Sequence, residues 1–264
     1  PTDLAALRYS GSGRLMLPYL LKLGFGGVSL MQACAITLTA GFGFPLFAYG
    51  GFSYAPAAHG AVLLPGVLPL FTTVLAIMIL KERFTLIRGL SLALIAAGIG
   101  FMTMDTLSST GGVSPGDFLF LCGSFSWAVF TVLARHWGIA PLTATSIVSV
   151  ATMVIYTPVY LAFLPSNLIE ASWGEIAFQG LYQGLFAVII AMIAFTIAVR
   201  SLGAATTTMI TSIVPGTASV AAIFILDEPV SLIAAVGIAC VTVGMAVTVA
   251  GLRRAEPPSA QAAK

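Results

Sequence analysis

Long apolar runs succeed one another along this chain, each able to cross a lipid bilayer. A spanning helix needs ~20 mostly apolar residues, because the hydrocarbon core is ~30 Å thick. Nine such runs are read, at about 2–21, 30–50, 57–80, 86–104, 118–137, 142–164, 176–199, 204–226 and 230–252. Composition removes the soluble alternative. Only 8% of the 264 residues are Asp, Glu, Lys or Arg, 59% are hydrophobic, and mean hydropathy is +1.05. Soluble domains average roughly 25% charged residues, and so few charges cannot cover a surface facing water. The prediction is an all-α integral membrane protein whose breaks are too short to hold a separate soluble domain. The polar tail at 253–264, RRAEPPSAQAAK, is expected to be disordered. Cys34, Cys122 and Cys240 each fall inside an apolar run and read as small core or lipid-facing residues, with no disulfide framework.

Charge gives every connection a sign. Lys22, then Lys81, Arg83 and Arg88, then Arg135, then Arg200, then Arg253, Arg254 and Lys264 lie at alternate connections and in the tail. The intervening segments carry Asp3, Asp105, Asp117, Glu170, Glu175, Asp227 and Glu228, with no Lys or Arg. The positive-inside rule places the basic connections and the C-terminus in the cytoplasm. The alternation supports nine spans, since one missed helix would break it.

The phrase MILKERFTLIRG at 78–89 returns as FILDEPVSLIAA at 224–235 with its basic residues gone. At an offset of 146 residues Pro69 meets Pro215, Glu82 meets Glu228 and Gly98 meets Gly244. Apolar matches are cheap in so greasy a chain; a proline, an acid and a glycine at one offset are not. An offset near 140 relates Pro1 and Pro18 to Pro141 and Pro158. Glu82 falls on the basic side and Glu228 on the acidic side, so the two copies are inverted and each needs an odd number of helices. The second copy, 117–252, has five; the first, 1–104, has four. The expectation is a ten-helix, five-plus-five protein whose first helix is absent from this chain. The alternative is a nine-helix protein with an external N-terminus. Glu82 and Glu228 read as structural acids ahead of a helix N-terminus.

The runs GFSYAPAAHGAVLLPGVLPLFTTVLAIMILKERFTLIRGLSLALIAAGI, SFSWAVFTVLARHW and AVRSLGAATTTMITSIVPGTASVAAIFILDEPVSLIAAVGIACVTVGM resemble the EamA family of the drug/metabolite transporter superfamily. The shared pattern is a helix with a central proline, then an acid, then a helix with a late glycine, and it covers nearly the whole chain. The resemblance implies an inverted five-plus-five fold. It also implies transport of small metabolites such as amino acids, commonly export, across a bacterial inner membrane, and it names no substrate. The family's second helix often carries an Arg where Arg8 stands, although the YSGSGR that follows is more polar than usual there.

Inverted-repeat transporters bind substrate near the membrane midplane, so polar residues at mid-helix depth are the candidates. Arg14 lies near the middle of its span and Arg8 nearer the external end. They are about 240° apart around the helix and cannot share one narrow face. Either can grip a carboxylate-bearing substrate; snorkelling is harder from Arg14, which favours it. Gln179, Tyr182 and Gln183 share a face by their spacing and read as substrate contacts or as polar glue between helices. Gln32 has the same ambiguity. Gly180 and Gly184 form a close-packing pair. Trp127 and Tyr156 are mid-helix aromatics, for packing or for stacking on a flat substrate. Pro69 and Pro215 are candidate hinges, whose freed carbonyls the hydroxyls of Thr206, Thr207, Thr208, Thr211 and Ser212 can satisfy. His59 is a candidate for proton coupling, against a plainer reading as a helix-end residue in the wet interface.

No paired carboxylate, HExxH or GxSxG motif points to an enzyme, and no cofactor or metal is expected. The best reading is a secondary transporter that alternates access between two repeats; a channel-like scaffold is the alternative. The expected partners are a small-molecule substrate and the bilayer, with a homodimer left open and no nucleic acid.

Overall fold

The computed structural model describes residues 2–163, 171–218 and 231–255, with side chains as far as 251. All secondary structure among these residues is helical. The elements are α1 (Thr2–Leu23), α2 (Leu30–Phe52), α3 (Ala57–Leu80), α4 (Leu86–Thr110), α5 (Pro115–His136), α6 (Pro141–Phe163), α7 (Trp173–Leu202), α8 (Ala204–Thr211) and α9 (Leu232–Ala255). Among the described residues seven helices are long and apolar enough to span a membrane: α2 to α7, and α9. The expected count of nine is therefore reached only in part. α1 is long enough, but Asp3, Arg8, Arg14 and Lys22 make it too polar to qualify by composition. The expected span at 204–226 appears as α8 and a short helical stretch at 213–218; its remainder, with Asp227 and Glu228, lies outside the described residues.

Local chemistry sets the helix starts. Ser114 and Asp117 cap α5 reciprocally, with Pro115 at the first helical position, so α5 begins three residues before its apolar run. Ser172 and Glu175 do the same for α7, and Ser29 and Gln32 for α2. Thr85 caps α4, which runs on to Thr110 and stops at Gly111, whose φ of 95° suits the left-handed end of a helix.

Two helix pairs form the frame. α4 and α9 touch backbone to backbone: a Cβ at Gly98 would lie 2.6 Å from the Gly237 carbonyl oxygen, and one at Gly244 would lie 2.9 Å from that of Ser91. Small residues allow such contact, which lipid cannot drive hydrophobically but packing can. α1 and α6 pair through Gly13 against Met153, Ser10 with Thr157 at 3.2 Å, and the edge-to-face rings of Tyr9 and Tyr156. α2 and α7 pack on the α1–α6 pair, and each contains a wide π-helical stretch, Thr37–Gly43 and Tyr182–Ile190.

The two ends of the bundle differ in sign. One gathers Glu82, Arg88 and Arg135, with Arg135 Nη1 donating to the carbonyls of Val199 and Arg200 at the end of α7. The other gathers Asp3 with Tyr160, Asp117 with His59, and Asp105, which accepts from Ser231 at 2.5 Å.

Candidate functional site

Five helices meet around a small mid-bundle cavity of about 20 Å³. That is room for little more than one water. Arg8 and Ser12 enter from α1, Gly41 from the π-helical stretch of α2, Trp127 from α5, Ser149 and Thr152 from α6, and Ala187 from the π-helical stretch of α7. Both wide stretches therefore border the cavity. π-helical turns leave backbone groups off the regular ladder and recur at functional sites. Here side chains from other helices take the loosened carbonyls: the Tyr9 phenol donates to Gly41 O at 2.7 Å, and the Ser126 hydroxyl to Thr39 O at 3.0 Å.

The polar groups of the cavity differ in how far they are already used. The Ser12 hydroxyl donates to Arg8 O at 2.8 Å, and that of Thr152 to Val148 O at 2.8 Å. Ser149 is 1% exposed and its hydroxyl has no hydrogen-bond partner among the described residues. A buried, unpaired hydroxyl costs ~1–3 kcal/mol and needs a reason. Arg8, half-buried, makes no side-chain hydrogen bond or ion pair there either. A fork of donors and an open hydroxyl thus face one cavity, an arrangement suited to a carboxylate or another compact polar group.

The structure brings together some of the residues expected from sequence and separates others. Arg8 and Trp127 share the cavity, and Trp127 also packs among Phe44, Phe130 and Phe195 at centroid distances of 4.9, 5.1 and 5.4 Å. Arg14 is exposed on the outer face of α1 and does not line the cavity. Direction around the helix, not depth along it, sets which of the two arginines reaches the cavity. Gln32 is not mid-helix: its side chain accepts from Ser29 N at 2.9 Å as the cap of α2. Tyr182 is exposed and stacks on Phe178, while Gln179 and Gln183 are half-buried and lie outside the cavity lining. Gly180 and Gly184 pack against Gly11. Pro69 is buried inside α3, and Pro215 is buried in the helical stretch after α8.

His59 is 1% exposed, with Nδ1 2.5 Å from Asp117 Oδ1 and Nε2 hydrogen-bonded to Thr110. The plainer expectation of a wet, helix-end histidine gives way to a buried polar knot that joins α3, α4 and α5. Glu82 does not cap α4, which Thr85 does; it pairs instead with Arg88 at 2.8 Å and stands 3.8 Å from Arg135.

Tyr9, Ser149 and Thr152 were not singled out by sequence. The signal was there: Thr145, Ser149, Thr152 and Tyr156 recur at spacings of four, three and four, which is one helix face, and all four are buried.

Comparison with known proteins agrees with this architecture. A family model described as the EamA-like transporter family matches residues 114–250. The uncharacterized transporter YyaM of Bacillus subtilis (strain 168) is 25% identical over 274 residues, covering 96% of this chain and 86% of its own. The uncharacterized transporter YetK of the same organism is 24% identical over 269 residues, covering 95% and 77%. A protein of known crystal structure superposes with a TM-score of 0.71 at 19% identity, covering 97% of this chain and 90% of its own, a likeness of fold alone. The match takes in more than half of the chain, and the protein belongs to the EamA-like transporter family, as a multi-pass membrane transporter of the drug/metabolite type.

Proposed function

We propose that this protein is a secondary exporter of small metabolites carrying a carboxylate, such as amino acids. In this reading it works in a bacterial inner membrane, with its basic end and C-terminus in the cytoplasm, by alternating access of two inverted repeats around the Arg8 cavity. The observation that carries the reading is the pairing of Arg8 with the unpartnered Ser149 at mid-bundle depth. A charge near the bilayer centre costs ~2.5–3.5 kcal/mol on insertion scales and marks a pathway or a partner.

Internal symmetry supports the two-repeat part. At the 146-residue offset Ser91 corresponds to Gly237 and Gly98 to Gly244, so the Gly98–Gly237 and Ser91–Gly244 contacts are images of one another. The π-helical stretches at 37–43 and 182–190 overlap at the same offset. A pseudo-two-fold axis in the membrane imposes such reciprocity. The nearly closed cavity supports an occluded state between two open ones. The test is counterflow by the full chain in proteoliposomes, against a panel of amino acids and simple carboxylates. Exchange of at least one is expected; exchange of none by folded protein overturns the reading.

A further inference from the structure

The basic end of the molecule holds a second and larger cavity, of about 600 Å³. Three guanidinium groups from three elements line it: Arg83 in the α3–α4 loop, Arg88 on α4 and Arg135 on α5. One carboxylate, Glu82, serves two of them. Arg83 is exposed and its side chain makes no hydrogen bond or ion pair among the described residues. The lining therefore holds three positive groups and one negative.

Two helix starts complete the wall. Thr85 and Gly203, the N-cap residues of α4 and α8, both line the cavity, and helix starts present unbonded N–H groups and the positive end of the dipole. An independent sign comes from Thr206, in the first turn of α8. It is 2% exposed, lines the cavity, and its hydroxyl makes no hydrogen bond among the described residues. Its neighbours Thr207, Thr208 and Thr211 all return theirs to backbone carbonyls of the same stretch. Topology alone asks for cations on this face. It does not ask for three of them around one cavity, nor for an open hydroxyl on an otherwise buried residue beside them.

We propose that this cavity is an anion-recognition site that takes the carboxylate or phosphate group of a small organic anion. Resting on the transporter reading, its purpose is to gather substrate at the basic face before it reaches Arg8. Guanidinium forks match both groups in a bidentate manner, which a lysine ammonium does not. The headgroup of an anionic lipid carries the same chemistry, and the experiment separates the two sources.

The full chain in neutral detergent is melted against increasing inorganic phosphate or succinate at constant ionic strength. Saturable stabilisation is expected with either probe. Arg83→Gln, which leaves the Glu82 pairs intact, weakens the apparent affinity about tenfold, the worth of one charge-assisted hydrogen bond. Thr206→Val weakens it severalfold, and Lys22→Gln, a matched loss of charge on the same face, leaves it unchanged. Loss of affinity in Lys22→Gln equal to that in Arg83→Gln overturns the site in favour of diffuse attraction. Stabilisation by phosphatidylglycerol micelles alone overturns the soluble-anion assignment. Counterflow without saturable binding sinks this cavity only; saturable binding without counterflow sinks the transporter reading and leaves the cavity standing.

Discussion

Ser149 and His59 carry opposite kinds of polar burial. The Ser149 hydroxyl bonds to nothing among the described residues, so folding gains nothing from it. Ser149→Ala is expected to leave the melting temperature unchanged or slightly raised while transport falls severalfold; lost stability with intact transport would place Ser149 in the scaffold. His59 is the reverse case, held between Asp117 and Thr110. Removing it strands a carboxylate that is 10% exposed, which costs on the order of 3 kcal/mol. His59→Ala should therefore lower the melting temperature in detergent markedly, and His59→Gln, which keeps a donor, should lower it less. An equal and negligible effect of both would show that the knot carries no stability. Arg8 and Trp127, both singled out from sequence, line the same cavity. Arg14 and Gln32 were misleading for one reason: depth along a helix does not tell which way a side chain points or where the helix begins.

Among the elements, the α4–α9 seam brings two backbones together at Gly98 and Gly244. Gly98 has the Gly237 carbonyl against it, whereas Gly100, two residues on, has open space. Gly98→Leu should destabilise by roughly 1–3 kcal/mol or more through overpacking, read as an earlier melt in fluorescence-detected size exclusion. Gly100→Leu should be tolerated, and equal effects would contradict the seam. The serine caps that start α2, α5 and α7 are plain in the sequence once the acid or amide three residues on is noticed. The π-helical stretches were not legible. In the α2 stretch the carbonyls of Gly41 and Thr39 are held by Tyr9 and Ser126, which come from helices far away in the chain, and no local pattern announces such partners.

At the scale of the whole molecule, the alternation of charged connections anticipated the two ends of opposite sign. Of the nine runs read from sequence, seven are helices apolar enough to span; the run at 2–21 is the polar helix α1, whose inner face is Ala5, Ala6, Tyr9 and Ser12. The Gly98–Gly237 and Ser91–Gly244 contacts correspond at the 146-residue offset, which supports the proposed repeat. The Arg8 cavity draws its lining from both proposed repeats, and transport through it is the central claim. Counterflow in proteoliposomes, comparing the full chain with Arg8→Ala and Arg14→Ala on the anion that the unmodified protein exchanges, tests it most directly. The account predicts that exchange falls at least tenfold in Arg8→Ala, the loss of one charge-assisted contact, and persists in Arg14→Ala. Exchange that survives in Arg8→Ala, or that depends on Arg14 instead, would contradict it.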